Sequence, residues 1–322
     1  MSGRGRAKST DRLIAVMVEI AEKIKPCNVR ALAYQFFNRK LIPSMAKEDV
    51  RVVSRLCLMA REEGSLPWEW IVDPTRQEQT VPTWDDPEDF ADTVMRGYRR
   101  NKWDAQPKHI SVWSEKSTVE GTLRPVLDKY EVPFQVLHGW SGATPVKNAA
   151  NANYCRTQDT LILYVGDFDP SGMGMSEMDL PKRLARYSSN DPSDKDISIE
   201  DANDILESAG LEIGRIALSD IHVSLLGEPC RFPASDKKGD TRYEWFVENY
   251  GDWCWELDAL SPNQLRYCVE SHILAELDHE AWARYVEVER AERKAIIDTC
   301  KSWKSIFDPV QKYSGKAEVG NE

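Results

Sequence analysis

The feature that most constrains the fold is an apolar segment that ends in a pair of carboxylates. Leu161 to Val165 is a short apolar run, and Asp167 and Asp169 follow it almost directly. A run of this length and composition is typical of a buried strand. Open α/β sheets bind ligands at the carboxyl ends of their strands. The segment therefore predicts a parallel sheet with a polar site at one edge.

Strands and helices alternate around this segment, which indicates a Rossmann-like sheet in a mixed α/β chain. From residue 262 onward the pattern is helical, and residues 312–322 are predicted to be disordered. The other predicted elements of the sheet region are a strand from Ile110 to Trp113, a helix from Thr118 to Tyr130, a strand from Phe134 to Leu137, a helix after Gly172 and a strand from Arg215 to Leu218.

Three helical patterns precede this region, and they predict a compact α-helical unit. They run from Asp11 to Lys25, from Val29 to Asn38 and from Lys47 to Glu63. A short alternating segment from Leu66 to Asp73 follows them and is predicted to be a strand or wing. This order of elements favours a winged helix.

Basic residues are concentrated in this N-terminal part. The chain of 322 residues has 42 Lys and Arg against 53 Asp and Glu, whereas residues 1–60 have 12 against 5. The overall acidity disfavours a protein whose whole surface binds nucleic acid. On the third helix, Lys47, Arg51 and Arg55 recur at every fourth residue opposite an apolar stripe. Such a row predicts contacts with DNA phosphates, with an ordinary solvated face as the alternative.

Several other classes of protein are disfavoured. No apolar stretch approaches the ~18 residues that a membrane span needs, so no membrane association is expected. The seven cysteines are odd in number and form no C-x-x-C pair, which indicates the reducing cytosol. No P-loop motif is present, so ATP binding of that type is not expected.

Three carboxylates are expected to converge at the edge of the sheet. Asp167 and Asp169 are two residues apart, so an extended backbone places them on the same side. Glu115 follows the strand that ends at Trp113. Such an oxygen-rich site suits Mg²⁺, and a phosphodiester is the natural partner of that metal. An acidic turn with a purely structural role is the alternative.

Two later polar positions are open to two interpretations. Glu256 and Asp258 lie two residues apart and are either additional members of the metal site or, more simply, the start of a helix. Lys237 lies in a loop and is either a phosphate contact or a solvated side chain.

Three motifs follow three successive predicted strands: Ser114-Glu115-Lys116, Gly139-Trp140-Ser141-Gly142 and Gly166-Asp167-Phe168-Asp169-Pro170-Ser171-Gly172. Together they resemble the Toprim domain of the A subunit of type IIB topoisomerases (topoisomerase VI) and of the related meiotic double-strand-break transesterases. The resemblance implies that Glu115, Asp167 and Asp169 bind Mg²⁺, with Mn²⁺ as the alternative, and that Glu115 takes part in proton transfer. A rival alignment uses Glu120, whose neighbours have helical spacing.

A further part of the resemblance lies in the predicted winged helix. The family has a nucleophilic tyrosine in an Arg-x-x-Tyr-Tyr type motif, and this chain has Arg30-Ala31-Leu32-Ala33-Tyr34. Tyr34 falls at the second tyrosine, and Ala33 replaces the first. The resemblance implies that Tyr34 is the nucleophile and that Arg30 assists it. From helical spacing alone, Tyr34 lies one turn after Arg30, away from the apolar stripe, where a boundary tyrosine is the ordinary alternative.

These observations predict a winged helix over residues 1–75, a connecting segment over 76–107, a Toprim-like domain over 108–260, a helical extension over 261–311 and a tail over 312–322.

The predicted function is Mg²⁺-dependent cleavage of double-stranded DNA through a phosphotyrosyl link to Tyr34. The resemblance implies a homodimer and, for strand passage, a separate ATPase subunit. The expected location is the cytoplasm, at the nucleoid in a bacterial, archaeal or phage context. A hydrolytic nuclease that uses water and a noncatalytic DNA-binding protein are the alternatives.

Overall fold

A computed structural model of the chain describes residues 8–71, 81–137, 143–189 and 196–307. The described residues form two compact units, one from Met1–Gln77 with Lys108–Glu276 and the other from Glu78–Pro107 with Leu277–Glu322. No helix in these ranges is both long and apolar enough to cross a membrane. The motif at residues 139–142 and the tail at 312–322 lie outside the described residues.

The three predicted N-terminal helices are confirmed. They are α1 (Lys8–Ile24), α2 (Val29–Asn38) and α3 (Lys47–Glu62). The side chain of Asn28 caps α2 by accepting a hydrogen bond from the backbone N–H of Ala31, at 2.8 Å. The buried stripes of the three helices pack against one another in a shared apolar core. Its fully buried large side chains include Met17, Ile20, Leu32, Phe36 and Leu66.

The predicted strand or wing after α3 is wrong over residues 66–71, and the rest of that segment lies outside the described residues. Trp68–Trp70 form a turn of 3₁₀ helix, and Ile71 makes a single parallel bridge with Cys27. The Arg61 guanidinium donates to the carbonyl oxygens of Trp68 and Ile71, at 2.7 and 2.9 Å. These two carbonyl oxygens are hydrogen-bond acceptors that a β-ladder would use. Because the Arg61 guanidinium binds them, residues 66–71 turn instead of extending.

The predicted parallel sheet is confirmed. It has four strands in the order β2-β1-β3-β4, and all neighbours are parallel. Ser114 pairs with both Val136 and Val165, and Val165 pairs with Ala217. The carboxyl ends of all four strands therefore lie along one edge. The strands are β1 (Lys108–Ser114), β2 (Phe134–Val136), β3 (Asp159–Val165) and β4 (Leu211–Ala217).

Helices connect the strands, as a parallel sheet requires. A π-helical stretch over Met175–Asp179 joins the two helices that follow β3. The connecting helices are α5 (Glu120–Tyr130), α6 (Ala143–Tyr154), α7 (Pro170–Gly174), α8 (Leu180–Ser188) and α9 (Ile199–Ser208), with α4 (Pro87–Gly97) preceding β1 in the chain.

A small antiparallel hairpin follows the sheet in the chain. Its strands are β5 (Arg231–Pro233) and β6 (Trp253–Trp255). The remaining helices are α10 (Asp220–Leu226), α11 (Tyr243–Tyr250), α12 (Pro262–Glu276) and α13 (His279–Phe307). Helices α4 and α13 belong to the second unit, where the ammonium of Lys102 pairs with the carboxylate of Glu289 in a buried position.

Candidate functional site

The carboxyl end of β3 turns tightly into α7 and carries the two predicted aspartates. Asp169 caps α7, since its Oδ1 accepts a hydrogen bond from the N–H of Gly172 at 2.8 Å. A Cβ atom at position 172 would lie 2.2 Å from the carbonyl oxygen of Asp167. Only glycine fits so close to this backbone. The turn therefore depends on the Asp-x-Asp-Pro-x-Gly pattern itself.

The guanidinium of Arg215, on β4, holds the backbone of this turn. It donates to the carbonyl oxygens of Gly166 and Gly172, each at 3.0 Å, and also to that of Asp167. A further bond joins it to the hydroxyl of Ser176, at 2.8 Å. These contacts add a charged donor to the carbonyl groups of the turn. The carbonyl oxygen of Gly166 also accepts from the backbone N–H of Leu218, at 2.9 Å.

Both aspartates are buried and pair with lysines. Asp167 Oδ1 lies 2.7 Å from Nζ of Lys116, and Asp169 Oδ2 lies 3.2 Å from Nζ of Lys237. Burial raises the pKa of Asp167, and the charge of Lys116 opposes this shift. Burial by itself would lower the pKa of Lys116, but the charge of Asp167 raises it overall. The 2.7 Å contact places the ammonium of Lys116 directly against this carboxylate.

A second pair of carboxylates reaches the same place through a β-bridge. Phe168, between the two aspartates, pairs antiparallel with Trp255, and both of their N–H···O bonds are 2.9 Å long. The residues after Trp255 therefore lie against the aspartate turn, and the N–H of Leu257 donates to Asp167 Oδ1 at 2.7 Å. Glu256 and Asp258 flank this contact. The simpler interpretation of these two acids is supported, because they lie at the start of a 3₁₀ turn over Leu257–Ala259. Their membership of a metal site stays a prediction.

Glu256 connects this edge of the sheet with α2. Its Oε2 accepts hydrogen bonds from the Tyr34 hydroxyl at 3.0 Å and from Nε of Arg30 at 2.9 Å. Asp258 Oδ2 lies 3.6 Å from Nε of Arg30 and 3.6 Å from Nζ of Lys116. It accepts no hydrogen bond from any described residue. The predicted nucleophile and its arginine thus contact the acids that follow Trp255. Among the described residues, no hydrogen bond or ion pair joins them to Glu115, Asp167 or Asp169, so that part of the predicted site stays a prediction.

Tyr34 itself is buried, with 4% of its surface exposed. It lies beside Arg30, as the helical spacing predicts, but it is buried instead of lying at a solvent boundary, and its hydroxyl donates to Glu256. Burial, followed by the charge of Glu256, raises its pKa well above that of an ordinary tyrosine. Burial acts to raise the pKa of Glu256, but the hydrogen bond from Arg30 and the charge of Lys116 lower it overall. At rest the proton therefore lies on Tyr34.

Glu115 lies at the end of β1, close enough to interact with the charges of both aspartates. Burial, and then the charges of Asp167 and Asp169, raise its pKa to about 7. We define the acid cluster as this residue with the two pairs of acids. Its members are Glu115, Asp167, Asp169, Glu256 and Asp258.

The acid cluster is not balanced by its cations. Five carboxylates meet four cationic side chains, an excess of one negative charge when all groups are ionised. The four cations are Arg30, Lys116, Arg215 and Lys237. Hard carboxylate oxygens with this excess charge fit a divalent cation such as Mg²⁺. Among the described residues, however, no three acidic, His or Cys side chains are arranged as a ready metal shell. Lys116 and Lys237 occupy the aspartate oxygens instead.

Other predicted residues lie elsewhere. Lys47, Arg51 and Arg55 are exposed on α3, and no contact joins their described side chains to the acid cluster. Glu120 begins α5 and pairs with Arg124 four residues later, so the rival alignment gains no support. Lys116 was not predicted as a site residue, although its position directly after Glu115 at a strand end was a signal for it.

No family model, no curated protein and no solved structure matches this chain. The basis for assigning a function is therefore the geometry of the acid cluster and its neighbours.

Proposed function

We propose that this protein is a Mg²⁺-dependent enzyme that cleaves double-stranded DNA, with Tyr34 attacking the scissile phosphate to form a phosphotyrosyl link. The observation that carries the proposal is the hydrogen bond between Tyr34 and Glu256, which are 222 residues apart in the chain. It brings a phenol and a guanidinium from α2 to the acid cluster at the strand ends. A nucleophile beside a cation-binding site is the arrangement that phosphoryl transfer needs.

The metal ligands in this proposal are Glu115, Asp167 and Asp169. When bound, Mg²⁺ would neutralise charge that develops on the phosphate oxygens. The chain itself supplies two partly exposed cations at the same place. The side chain of Arg30 is 40% exposed and that of Lys237 is 43% exposed, so both are able to contact a DNA phosphate and orient it.

The finer assignment is a topoisomerase VI A-like protein with a winged helix and a Toprim domain. Three packed N-terminal helices and a parallel sheet with acids at its carboxyl edge support it. Under this assignment the protein acts as a homodimer, in which one subunit offers the tyrosine and the other the metal, and strand passage requires a separate ATPase subunit. Exposed Lys47, Arg51 and Arg55 on α3 would contact the DNA backbone.

One observation favours a second candidate, a nuclease in which water is the nucleophile. Tyr34 is 4% exposed, and burial raises its pKa. A phenol in that environment is a weak nucleophile until its proton is removed. In this alternative the same carboxylates bind the metal, and Tyr34 serves only to hold α2 against Glu256.

Substitution of Tyr34 by Phe, with capture of protein-linked DNA under denaturing conditions, separates the two candidates. Transesterification predicts a covalent adduct in the wild type that disappears in the variant together with cleavage. Tyr98→Phe is the matched control, because the Tyr98 hydroxyl also donates to a glutamate, Glu292, at 2.7 Å. Cleavage that survives in Tyr34→Phe, with no adduct in the wild type, would assign the reaction to water.

A further inference from the structure

We infer that Glu256 is the catalytic base that takes the proton of Tyr34, an inference that rests on the proposed function. Among the described residues, Glu256 is the hydrogen-bond partner of the Tyr34 hydroxyl, at 3.0 Å from Oε2. A general base must lie within hydrogen-bond reach of the proton that it removes. The resemblance implied proton transfer by Glu115, but Glu115 makes no such contact with Tyr34.

Proton transfer accompanies the attack of Tyr34 on phosphorus. As the Tyr34 oxygen forms its bond to phosphorus, the phenolic proton passes to Oε2 of Glu256, and the electron pair of the O–H bond stays on the attacking oxygen. The bond from phosphorus to the leaving strand breaks, and the leaving oxygen keeps its electron pair and takes a proton from water. The hydroxide that remains takes the proton from Glu256 and restores the carboxylate.

Two properties of the site suit Glu256 to this role. Its side chain is 25% exposed beside the 40% exposed side chain of Arg30, so both partners of the buried Tyr34 hydroxyl are partly open to solvent, where a phosphate is able to contact Arg30. Arg30 and Lys116 keep Glu256 ionised and able to accept a proton. A phosphate that draws Arg30 towards itself removes a hydrogen bond from Glu256, which makes the carboxylate a stronger base when substrate is present.

The first experiment measures the single-turnover rate of covalent protein–DNA attachment for the wild type and for Glu256→Gln. Loss of a general base predicts a rate lowered by roughly 10²–10⁴-fold, with DNA affinity within about twofold. Glu292→Gln is the matched control, because Glu292 also binds a tyrosine hydroxyl and an arginine, those of Tyr98 and Arg100. Its attachment rate should equal that of the wild type.

The pH dependence distinguishes a base from a residue that only positions Tyr34. The charged groups facing Glu256 are Arg30, Tyr34, Lys116, Lys237 and Asp258. Without Glu256, hydroxide must remove the phenolic proton, so the ratio of wild-type to Glu256→Gln rates should fall about tenfold per pH unit from pH 7 to pH 9. Titrations common to both proteins cancel in this ratio. A ratio that does not change with pH would overturn the inference.

A DNA substrate with sulfur in place of the leaving bridging oxygen provides the second test, because a thiolate leaves without a proton. A base at position 256 is still needed with this substrate, so the Glu256→Gln defect should persist. If the attachment rate of Glu256→Gln on this substrate recovers to within a few-fold of the wild-type rate, Glu256 is instead the acid that protonates the leaving oxygen, and the inference is overturned.

Glu256→Asp covers the case in which the Gln variant does not fold. This variant keeps the carboxylate on a side chain that is shorter by one methylene, so attachment should be slower but should keep the wild-type pH profile. An attachment rate equal to that of the wild type would count against a base at this position. If the wild type forms no covalent adduct, both the inference and the proposed transesterification fail. If the adduct forms but the Glu256→Gln rate is unchanged, the inference alone fails.

Discussion

Two carboxylate pairs with the same spacing lie on the two sides of one β-bridge, and their partners differ. Asp167 and Asp169 pair with two lysines, whose flexible ammonium groups are able to move away. Glu256 instead accepts hydrogen bonds from Arg30 and Tyr34, both fixed on α2. Under the proposed function, the first pair would hold an exchangeable cation and the second would hold the nucleophile.

The largest expected effect comes from breaking the first pair. Asp167→Asn or Asp169→Asn keeps the shape of the side chain but removes the charge that holds a divalent cation. A bound metal stabilises the transition state by several kcal/mol, and ~4 kcal/mol corresponds to about a 10³-fold change in rate. The rate of metal-dependent cleavage should therefore fall by more than about 10³-fold. The rate at which the protein nicks supercoiled plasmid DNA in the presence of Mg²⁺ measures this loss of cleavage. Asp128→Asn, at a solvent-exposed site, is the control, and full activity in both active-site variants would refute the metal site.

A smaller effect is expected from Lys116→Met, which removes the cation between Asp167 and Asp258. Removing one partner of a mostly buried ion pair should destabilise the metal-free protein by about 3 kcal/mol. Added Mg²⁺ should restore most of that loss, because the ion replaces the ammonium charge. Denaturant unfolding with and without Mg²⁺ tests this. A loss of stability that Mg²⁺ does not reverse would mean that Lys116 is a structural cation and not one that a metal displaces.

A pH-dependent effect is expected at Glu115, whose pKa is raised to about 7 from its ordinary value of 4.5. The folded protein holds the proton of the Glu115 carboxyl more tightly than the unfolded chain does. The protonated carboxyl therefore contributes to the free energy of unfolding below pH 4.5, and this contribution is lost as the pH rises through 7. Glu115→Gln should therefore be as stable as the wild type near pH 4 and more stable by about 3 kcal/mol at pH 8. Thermal unfolding across this range measures it, and a constant difference between the two proteins would contradict the shift.

The smallest expected effect concerns DNA binding by α3. Charge reversal of Arg51 and Arg55 should weaken DNA binding and reduce the slope of log affinity against log salt by about 0.9 for each phosphate that is no longer neutralised. The control reverses Arg290 and Lys294, an exposed pair with the same spacing on α13. If both double variants bind DNA with the wild-type salt slope, α3 is not the DNA-binding face.

Elements defined by local patterns could be predicted from the sequence. The helices α1, α2 and α3 and the strands that end at Ser114 and Val165 follow from periodicity and breakers, and the acids at the strand ends follow from the parallel sheet. The strand predicted after α3 failed because the side chain of Arg61, at the end of α3, binds two carbonyl oxygens of that segment, a contact that residue periodicity does not reveal. The position of Glu256 could not be predicted, because it depends on a pairing between Phe168 and Trp255 that no local pattern encodes.

That pairing also sets the order in which the site is completed during synthesis. The aspartate turn and α2 leave the ribosome well before Trp255 and Glu256, the residues that join them. At a synthesis rate of roughly 5–20 residues per second, a nascent chain holds its acid turn for several seconds before Glu256 emerges to meet Tyr34. The contact between α2 and the aspartate turn through Glu256 is therefore among the last parts of this region to form on the growing polypeptide.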